Sequence, residues 1–224
     1  MTRKKIVALL PLKENSERIA GKNFKDFAGK PLFFWMLDSL LKNNNINSVV
    51  INTDAGETLL NHGLKQSKRV IIKERPVHLR GDDISMNLII EDDVNFTEAD
   101  LYLMTHTTNP LLSTKTITEA IEVFLAQSDH DSLFTVNKVQ SRFYDEKAVP
   151  INHDPDNLIQ TQDLPLWYEE NSCLYIFTKK SFLKTKTRIG SNPMVYPISK
   201  TESVDIDIMD DWNIAEAIMI LKNS

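Results

Sequence analysis

The sequence has little cysteine and no excess of basic residues. Its 224 residues include one cysteine, Cys173, which excludes a disulfide within the chain and a metal site built from several cysteines. The formal net charge is -5, so the chain lacks the basic excess with which a general nucleic-acid binder neutralises phosphates. The apolar runs are far shorter than the roughly 20 residues that span a membrane. We therefore expect a cytoplasmic protein that binds neither nucleic acid nor membrane.

The glycine patterns of the common phosphate-binding loops are also missing. Neither GxxxxGK[ST] nor GxGxxG occurs after the first apolar run, "IVALL". The stretch "PLKENSERIAGKN" follows this run instead, and it is rich in cations and polar donors. Because a loop that leads into a helix can bind phosphates, this stretch is a candidate anion site. An ordinary solvated loop has a similar composition, so both interpretations stay open on the residues alone.

Short apolar runs alternate with longer helical patterns along the chain. The basic start "MTRKK" precedes a short apolar run without a small-residue cleavage site, which indicates a first strand and not a signal peptide. Nearly continuous apolar runs are typical of strands that are buried on both faces. The order β-α-β-α predicts an α/β fold, a three-layer α/β/α sandwich with a mostly parallel sheet, in one domain over 1–224. Ligands of such sheets bind beyond the carboxyl ends of the strands.

One stretch, at about 140–170, interrupts this alternation. It is long, polar and rich in proline, and it includes aromatic residues such as Trp167. Loops of this length usually serve a function or an interface, although a plain surface connection explains the residues equally well. Arg142 and Lys147 are candidates for binding a substrate carboxylate, and Gln162 is a candidate for a sugar hydroxyl.

Two carboxylates near the end of the chain have the spacing of a metal-binding pair. In "SVDIDIMDDW", Asp205 and Asp207 would project to the same side of an extended segment. Without a basic neighbour they would repel each other unless a cation lay between them. Magnesium takes oxygen ligands, commonly one or two carboxylates together with substrate phosphates. Asp210 and Asp211 indicate a helix start, which is also the alternative interpretation of the whole acidic cluster.

These segments together resemble the acylneuraminate (CMP-sialic acid) cytidylyltransferase family. In that family an apolar strand leads into a Pro-x-[Arg/Lys]-x-x-Ser-x-x-[Ile/Val]-x-x-Lys-Asn loop, and Gly-Lys-Pro-Leu then opens the first helix. The matching positions are Pro11, Lys13, Ser16, Ile19, Lys22, Asn23, Gly29, Lys30, Pro31, Leu32, Asn52, Thr53 and Asp54. Similar likenesses are found in "ERPVHLRGDDIS", "LMTHTTNPLL", "YEENSCLYIF" and "YPISKTESVDIDIMDDWNIAEA". The likeness therefore covers almost the whole chain.

The resemblance implies a site and a reaction. CMP would pass from CTP to the anomeric hydroxyl of a nonulosonic (sialic-acid-like) sugar acid, with release of pyrophosphate, on a Rossmann-like nucleotidyltransferase sheet. The implied nucleotide-binding residues are Leu12, Lys13, Ser16, Arg18, Lys22, Asn23, Arg75, Asp82 and Ser85. The implied sugar-binding residues are His106, Thr107, Thr108, Arg142, Gln162 and Asn171. Lys22, Asp205 and Asp207 would be catalytic, the two aspartates would hold Mg²⁺, and a homodimer would form through the 140–170 extension.

Departures from the family pattern leave the acceptor open. Lys13 stands where an Arg is usual, His106 replaces a Gln, and Leu112 replaces an Arg. CTP use is therefore better supported than sialic acid use, and a legionaminate-type or pseudaminate-type acid is an alternative acceptor. Three further alternatives are an octulosonate cytidylyltransferase, a glycosyltransferase that uses an Asp-x-Asp metal motif, and a non-catalytic nucleotide-sugar-binding protein.

Overall fold

A seven-stranded sheet forms the centre of the computed structural model, which describes residues 4–223. The strands of the sheet are β1 (Ile6–Leu9), β4 (Ser48–Thr53), β5 (Val70–Glu74), β6 (Leu101–Thr105), β7 (Ser132–Val139), β8 (Trp167–Phe177) and β9 (Pro193–Pro197). A small separate hairpin consists of β2 (Asp26–Phe27) and β3 (Lys30–Pro31). The helices are α1 (Leu32–Lys42), α2 (Gly56–Asn61), α3 (Met86–Phe96), α4 (Thr114–Ala126), α5 (Lys179–Thr185) and α6 (Met209–Asn223).

The sheet is mostly parallel, as the sequence predicts. The strand order is β5-β4-β1-β6-β8-β7-β9. Neighbouring strands from β5 to β6 run parallel, and β9 is parallel to β7. Strand β8 is antiparallel to both of its neighbours. From β1 the chain continues to its neighbour β4 on one side, whereas β6 pairs with β1 on the other side. The strand order therefore reverses between β1 and β6, which is the switch point of the sheet.

Helices cover both faces of the sheet, which confirms the three-layer architecture. One buried cluster joins α1 and α4 to one face through side chains such as Phe33 and Ile121. A second cluster joins α3 and α5 to the other face through side chains such as Ile90 and Phe182. Successive β1 residues alternate between the two clusters, as the period-two geometry of a strand requires. Within residues 4–223, no helix combines the length and apolarity needed to cross a membrane.

A third apolar cluster brings the two ends of the chain together. Phe27 of the hairpin packs edge-on against Trp212 of α6, with 5.1 Å between ring centroids. The helical spacing of Trp212, Ala215, Ile218 and Met219 predicts an apolar stripe on this helix, and the prediction is confirmed because Ala215 and Met219 are buried in the same cluster and Ile218 packs against it. Asp211 accepts hydrogen bonds from the backbone N–H groups of 207 and 208, at 3.0 Å each, and so stabilises the helix start. This packing holds the acidic C-terminal segment beside the first loop.

The sequence pattern does not predict two elements, one strand of the sheet and one helix that packs on it. Strand β9 carries a proline at each end, and it is tolerated because it is an edge strand that pairs with β7 alone. Helix α5 has seven residues, too few for a clear helical period. The apolar pattern predicts a strand only over "SCLYIFT", whereas strand β8 extends back to Trp167, into the polar half of its sequence. The apolar pattern therefore does not predict elements that are short, polar or bounded by proline.

Candidate active site

A cavity of about 330 Å³ lies at the switch point of the sheet, beyond the carboxyl ends of β1 and β6. Open α/β sheets bind ligands at this position. The loop after β1, the loop after β5, the loop after β6 and the C-terminal segment all contribute to its wall. The lining residues are Pro11, Leu12, Lys13, Ser16, Glu17, Arg18, Lys22, Asn23, Arg75, Gly81, Asp82, Ile84, Met86, Ile89, His106, Thr107, Thr108 and Asp207.

Hydrogen bonds fix the first loop against its neighbours. The Asn23 amide donates to the Lys13 carbonyl at 2.7 Å and accepts from the Thr107 hydroxyl at 2.6 Å. Lys13 also forms an ion pair with Asp82. Gly21 has a φ of 60°, which favours glycine, and a Cβ there would meet nothing within 4 Å. Glycine at this position therefore serves the turn.

Lys22 connects the loop to the C-terminal segment. Its ammonium is buried and donates to the carbonyl of Ile206 at 2.6 Å. The backbone N–H of Ile206 in turn donates to the Thr108 carbonyl at 2.9 Å. Burial lowers the pKa of Lys22, and the carboxylates of Asp207 and Asp205 oppose this effect. Residues far apart in sequence thus converge at the edge of the cavity.

The two aspartates differ in their surroundings. Asp207 lines the cavity, and its Oδ2 lies 2.7 Å from Nη1 of Arg18. The expectation that the pair has no basic neighbour is therefore wrong. Burial raises the pKa of Asp205, a hydrogen bond from Thr108 opposes the rise, and the charge of Asp207 adds to it. Oδ1 of Asp205 is buried without a hydrogen-bond partner among residues 4–223, an oxygen that a cation would satisfy, although Asp205 itself does not line the cavity.

Arg75 holds the first loop in place through hydrogen bonds from the side of the sheet. Its guanidinium donates to the carbonyl of Leu12 at 3.0 Å and to the side chain of Asn52 at 2.9 Å. Asn52 donates at 2.6 Å to the fully buried Asp93 of α3, and Lys73 also contacts this carboxylate. Burial raises the pKa of Asp93 to about 6 despite the hydrogen bond from Asn52. This buried network positions the backbone of the loop from the side of the sheet.

His106 lines the cavity as a neutral imidazole. Burial lowers its pKa to about 4, and the positive charges of Arg188 and Lys22 add to the effect. At neutral pH the imidazole therefore offers one donor and one acceptor. The family pattern has a Gln at this position, whose amide also offers a donor and an acceptor, so the replacement conserves this hydrogen-bonding capacity.

Comparison with protein families agrees with this geometry. A family model described as "Cytidylyltransferase" matches residues 7–219, which is nearly the whole chain. The chain belongs to this cytidylyltransferase family. The match includes both the first loop and the Asp205–Asp207 segment, so the site described above lies entirely within the part of the chain that defines the family.

Several curated relatives of this cytidylyltransferase-family chain cover most of it. N-acylneuraminate cytidylyltransferase A of Danio rerio is 30% identical over 94% of this chain and 50% of its own length. Pseudaminic acid cytidylyltransferase of Campylobacter jejuni is 24% identical over 96% of each. CMP-N,N'-diacetyllegionaminic acid synthase of Legionella pneumophila is 25% identical over 97% of each. The chain thus spans about half the length of the first relative and nearly all of the other two.

Solved structures share the fold at lower identity. CMP:2-keto-3-deoxy-manno-octonic acid synthetase complexed with CTP has a TM-score of 0.68 and 14% identity, covering 97% of this chain and 99% of its own. 4-Diphosphocytidyl-2C-methyl-D-erythritol synthase from Anaerococcus prevotii has a TM-score of 0.68 and 12% identity, covering 96% of each chain. Both likenesses support the nucleotidyltransferase fold expected from the sequence.

Most of the residues that the resemblance implies for this cytidylyltransferase-family site come together, but five do not line the cavity, namely Asp205 and the four described next. Ser85 caps α3 by accepting from the Asn87 N–H and lies outside the lining. Asn171 is buried in β8, where Thr135 donates to its side chain at 2.7 Å. Arg142 donates to the Ile159 carbonyl at 2.6 Å, and Gln162 is exposed in the extension. Within one chain, these side chains support local structure.

Sequence reasoning missed some residues near the site. Glu17, Gly81, Met86 and Ile89 line the cavity without belonging to a motif that the sequence singles out. Arg188 lies in "KTKTRIG", after a short helix, and no spacing or periodicity marks it. Its charge nevertheless contributes to the lowered pKa of His106. Only the folded chain brings this side chain toward the site.

Proposed function

We propose that this chain transfers CMP from CTP to the anomeric hydroxyl of a nonulosonic acid and releases pyrophosphate. The observation that carries the proposal is the convergence of Lys13, Arg18 and Lys22 with Asp207 around one cavity at the sheet switch point. Three cations suit a triphosphate, and each already has a partner that the phosphates would replace or share. The names of the relatives are consistent with a sialic, pseudaminic or legionaminic acid as the acceptor.

The residues also suit a magnesium ion. Asp207 provides a carboxylate at the cavity, and two residues earlier Asp205 provides a buried carboxylate oxygen that has no hydrogen-bond partner among residues 4–223. Residues 4–223 contain no cluster of three His, Cys, Asp or Glu side chains for a metal, which is consistent with an ion that takes its other ligands from phosphates. When bound, Mg²⁺ would neutralise charge on the phosphates. Lys22 would hold the triphosphate in line with the acceptor hydroxyl, since such transfers depend on positioning.

The proposal is tested by measuring pyrophosphate release from CTP with a panel of sugar acids. The panel contains N-acetylneuraminic acid, pseudaminic acid, N,N'-diacetyllegionaminic acid and 3-deoxy-manno-octulosonate, with a reaction that lacks any acceptor as the control. We expect magnesium-dependent release with at least one of the first three acids, because cations and carboxylates both converge at the cavity. Chelation by EDTA should abolish the release.

The other outcomes separate the alternatives. Release with the octulosonate alone would identify an octulosonate cytidylyltransferase. Consumption of a CMP-sugar without pyrophosphate would identify a glycosyltransferase. CTP binding without release for any acid would identify a non-catalytic binding protein and contradict the proposal.

We further propose that the chain forms a homodimer through the extension between β7 and β8. This extension is ordered by the stacking of Phe143 on Trp167, with 5.1 Å between ring centroids. Its outer surface nevertheless exposes Ile151 by 55% and Leu158 by 61%. Large apolar side chains exposed within one segment favour a protein interface, and a second copy offers the same segment.

The dimer is tested by light scattering coupled to size-exclusion chromatography. The wild type should elute with twice the monomer mass, and a combined Ile151→Glu and Leu158→Glu variant should elute as a monomer because charge at a buried interface is costly. Leu60→Glu, at an exposed position on α2, is the matched control and should keep the wild-type mass. A wild-type protein of monomer mass would contradict the proposal.

A further inference from the structure

A second cavity, of about 490 Å³, adjoins the first, and Met86 lines both. It lies between the start of α3, the end of the polar half of β8 and the segment after α5. Its lining residues are Ser85, Met86, Asn87, Glu170, Thr187, Arg188 and Ile189. Among the residues 4–223 that line this second cavity, Arg188 is the only one with a cationic side chain. The shared wall makes the second cavity the natural place for a substrate that reacts with a ligand of the first.

Arg188 is held in a defined position. Its guanidinium stacks on the ring of Tyr175 at 4.1 Å from the centroid, and its Nη2 donates to the Tyr175 hydroxyl at 3.0 Å. Its backbone N–H donates to the Asn87 side chain at 3.3 Å. Such stacking fixes the plane of a guanidinium before any ligand arrives. Only 22% of the side chain is exposed, so little freedom remains to be lost on binding.

The guanidinium retains donors for a ligand. Its hydrogen bonds to residues 4–223 use Nη2 alone, and the same atom forms an ion pair with Glu170 at 3.7 Å, a distance longer than a hydrogen bond. Glu170 instead accepts from the Tyr175 hydroxyl. The remaining N–H groups form a fork that suits a carboxylate. Glu170 provides an acceptor at the side of the same cavity, where a sugar hydroxyl would donate.

Each of the two cavities has its own cationic side chains. In the first cavity, Lys13, Arg18 and Lys22 surround the space proposed for the triphosphate. Arg188 lines the second cavity, yet its positive charge contributes to the lowered pKa of His106, which lines the first. An anionic group bound to Arg188 would therefore sit near the boundary. A nonulosonic acid bears its carboxylate directly on the anomeric carbon, which also bears the attacking hydroxyl, so holding the carboxylate also orients the attacking oxygen.

We propose that Arg188 binds the carboxylate of the acceptor in the second cavity and thereby directs its anomeric hydroxyl toward CTP. This inference rests on the proposed function and replaces Arg142 and Lys147, which the sequence suggested for the carboxylate. Arg142 is bonded to the Ile159 carbonyl, and neither residue lines either cavity.

The inference is tested with Arg188→Gln, Arg188→Lys and the control Lys186→Gln. Lys186 pairs with Glu91 on the surface, so its charge is removed close to Arg188 without touching either cavity. Pyrophosphate release is measured at saturating CTP with the best acceptor acid and with its carboxamide, which lacks the negative charge. Calorimetric titration with CTP shows that each variant is folded.

We expect Arg188→Gln to raise the KM of the acid roughly 10- to 100-fold, as befits a charge-assisted pair, with the KM of CTP unchanged. Preference for the acid over the carboxamide should nearly disappear in Arg188→Gln, be partly kept in Arg188→Lys, and be intact in Lys186→Gln. A merely structural role would weaken both acceptors equally. An unchanged preference in Arg188→Gln, or its loss in Arg142→Gln instead, overturns the inference, whereas a wild type inactive with every acid overturns the proposed function itself.

Discussion

Asp207→Asn is expected to lower kcat at least about 100-fold, while the dissociation constant for CTP changes by less than about 10-fold. The carboxylate lines the cavity, and Oδ1 of the nearby Asp205 is buried without a hydrogen-bond partner in the described part of the chain. The amide keeps the size of the side chain but removes the charge that would hold magnesium and balance Arg18. Charge on the phosphoryl oxygens changes most in the transition state, so turnover suffers more than binding. The rate of pyrophosphate release gives kcat, and calorimetry gives the dissociation constant.

The matched control is Asp210→Asn. Asp210 is exposed in the first turn of α6, where its charge favours the helix start and does not reach the cavity lining. We expect its kcat to remain within about twofold of the wild type, since a surface charge at a helix start contributes little. A wild-type kcat in Asp207→Asn would contradict the metal-holding role. A loss of CTP affinity as large as the loss of kcat would assign Asp207 to nucleotide binding instead.

Lys22→Met should reduce kcat/KM for CTP about 100-fold, because a charge-assisted contact to phosphate and the contact to the Ile206 carbonyl are lost together. Methionine retains the apolar stem, so packing of the buried chain is largely preserved. The remaining cations, Lys13 and Arg18, are already paired with Asp82 and Asp207, so neither replaces the buried ammonium that is anchored on the Ile206 carbonyl. Initial rates over a range of CTP concentrations, at saturating sugar acid, measure the effect.

Lys25→Met separates this effect from a general loss of positive charge in the loop. The Lys25 ammonium is exposed and lies over the ring of Trp212, 5.0 Å from its centroid, on the side of α6. We expect its kcat/KM to stay within about twofold of the wild type, since a single exposed cation–π contact is weak. Equal losses in both variants would mean that the loop acts through its net charge, and the specific role of Lys22 would be rejected.

Much of the fold was predictable from apolar patterning. Strand β1 is a continuous apolar run and strand β4 has an apolar centre, and both are buried along their whole length as expected. The α4 start at Ser113, whose hydroxyl accepts from the Thr116 N–H, follows from a familiar capping pattern. Strand β9 escaped prediction because its prolines argue against a strand, and only its place at the sheet edge makes it tolerable.

The sequence by itself determined the order of elements, the cationic first loop and the Asp205–Asp207 pair, because periodicity and local spacing are properties of neighbouring residues. Tertiary structure alone decided which of these groups meet. The packing of Phe27 against Trp212 carries Asp207 to Arg18, across almost the whole chain. The same folding leaves Asn171 in the core of β8 and brings the unmarked Arg188 to the second cavity. Distances between residues remote in sequence depend on how helices and sheet pack, which no local pattern records.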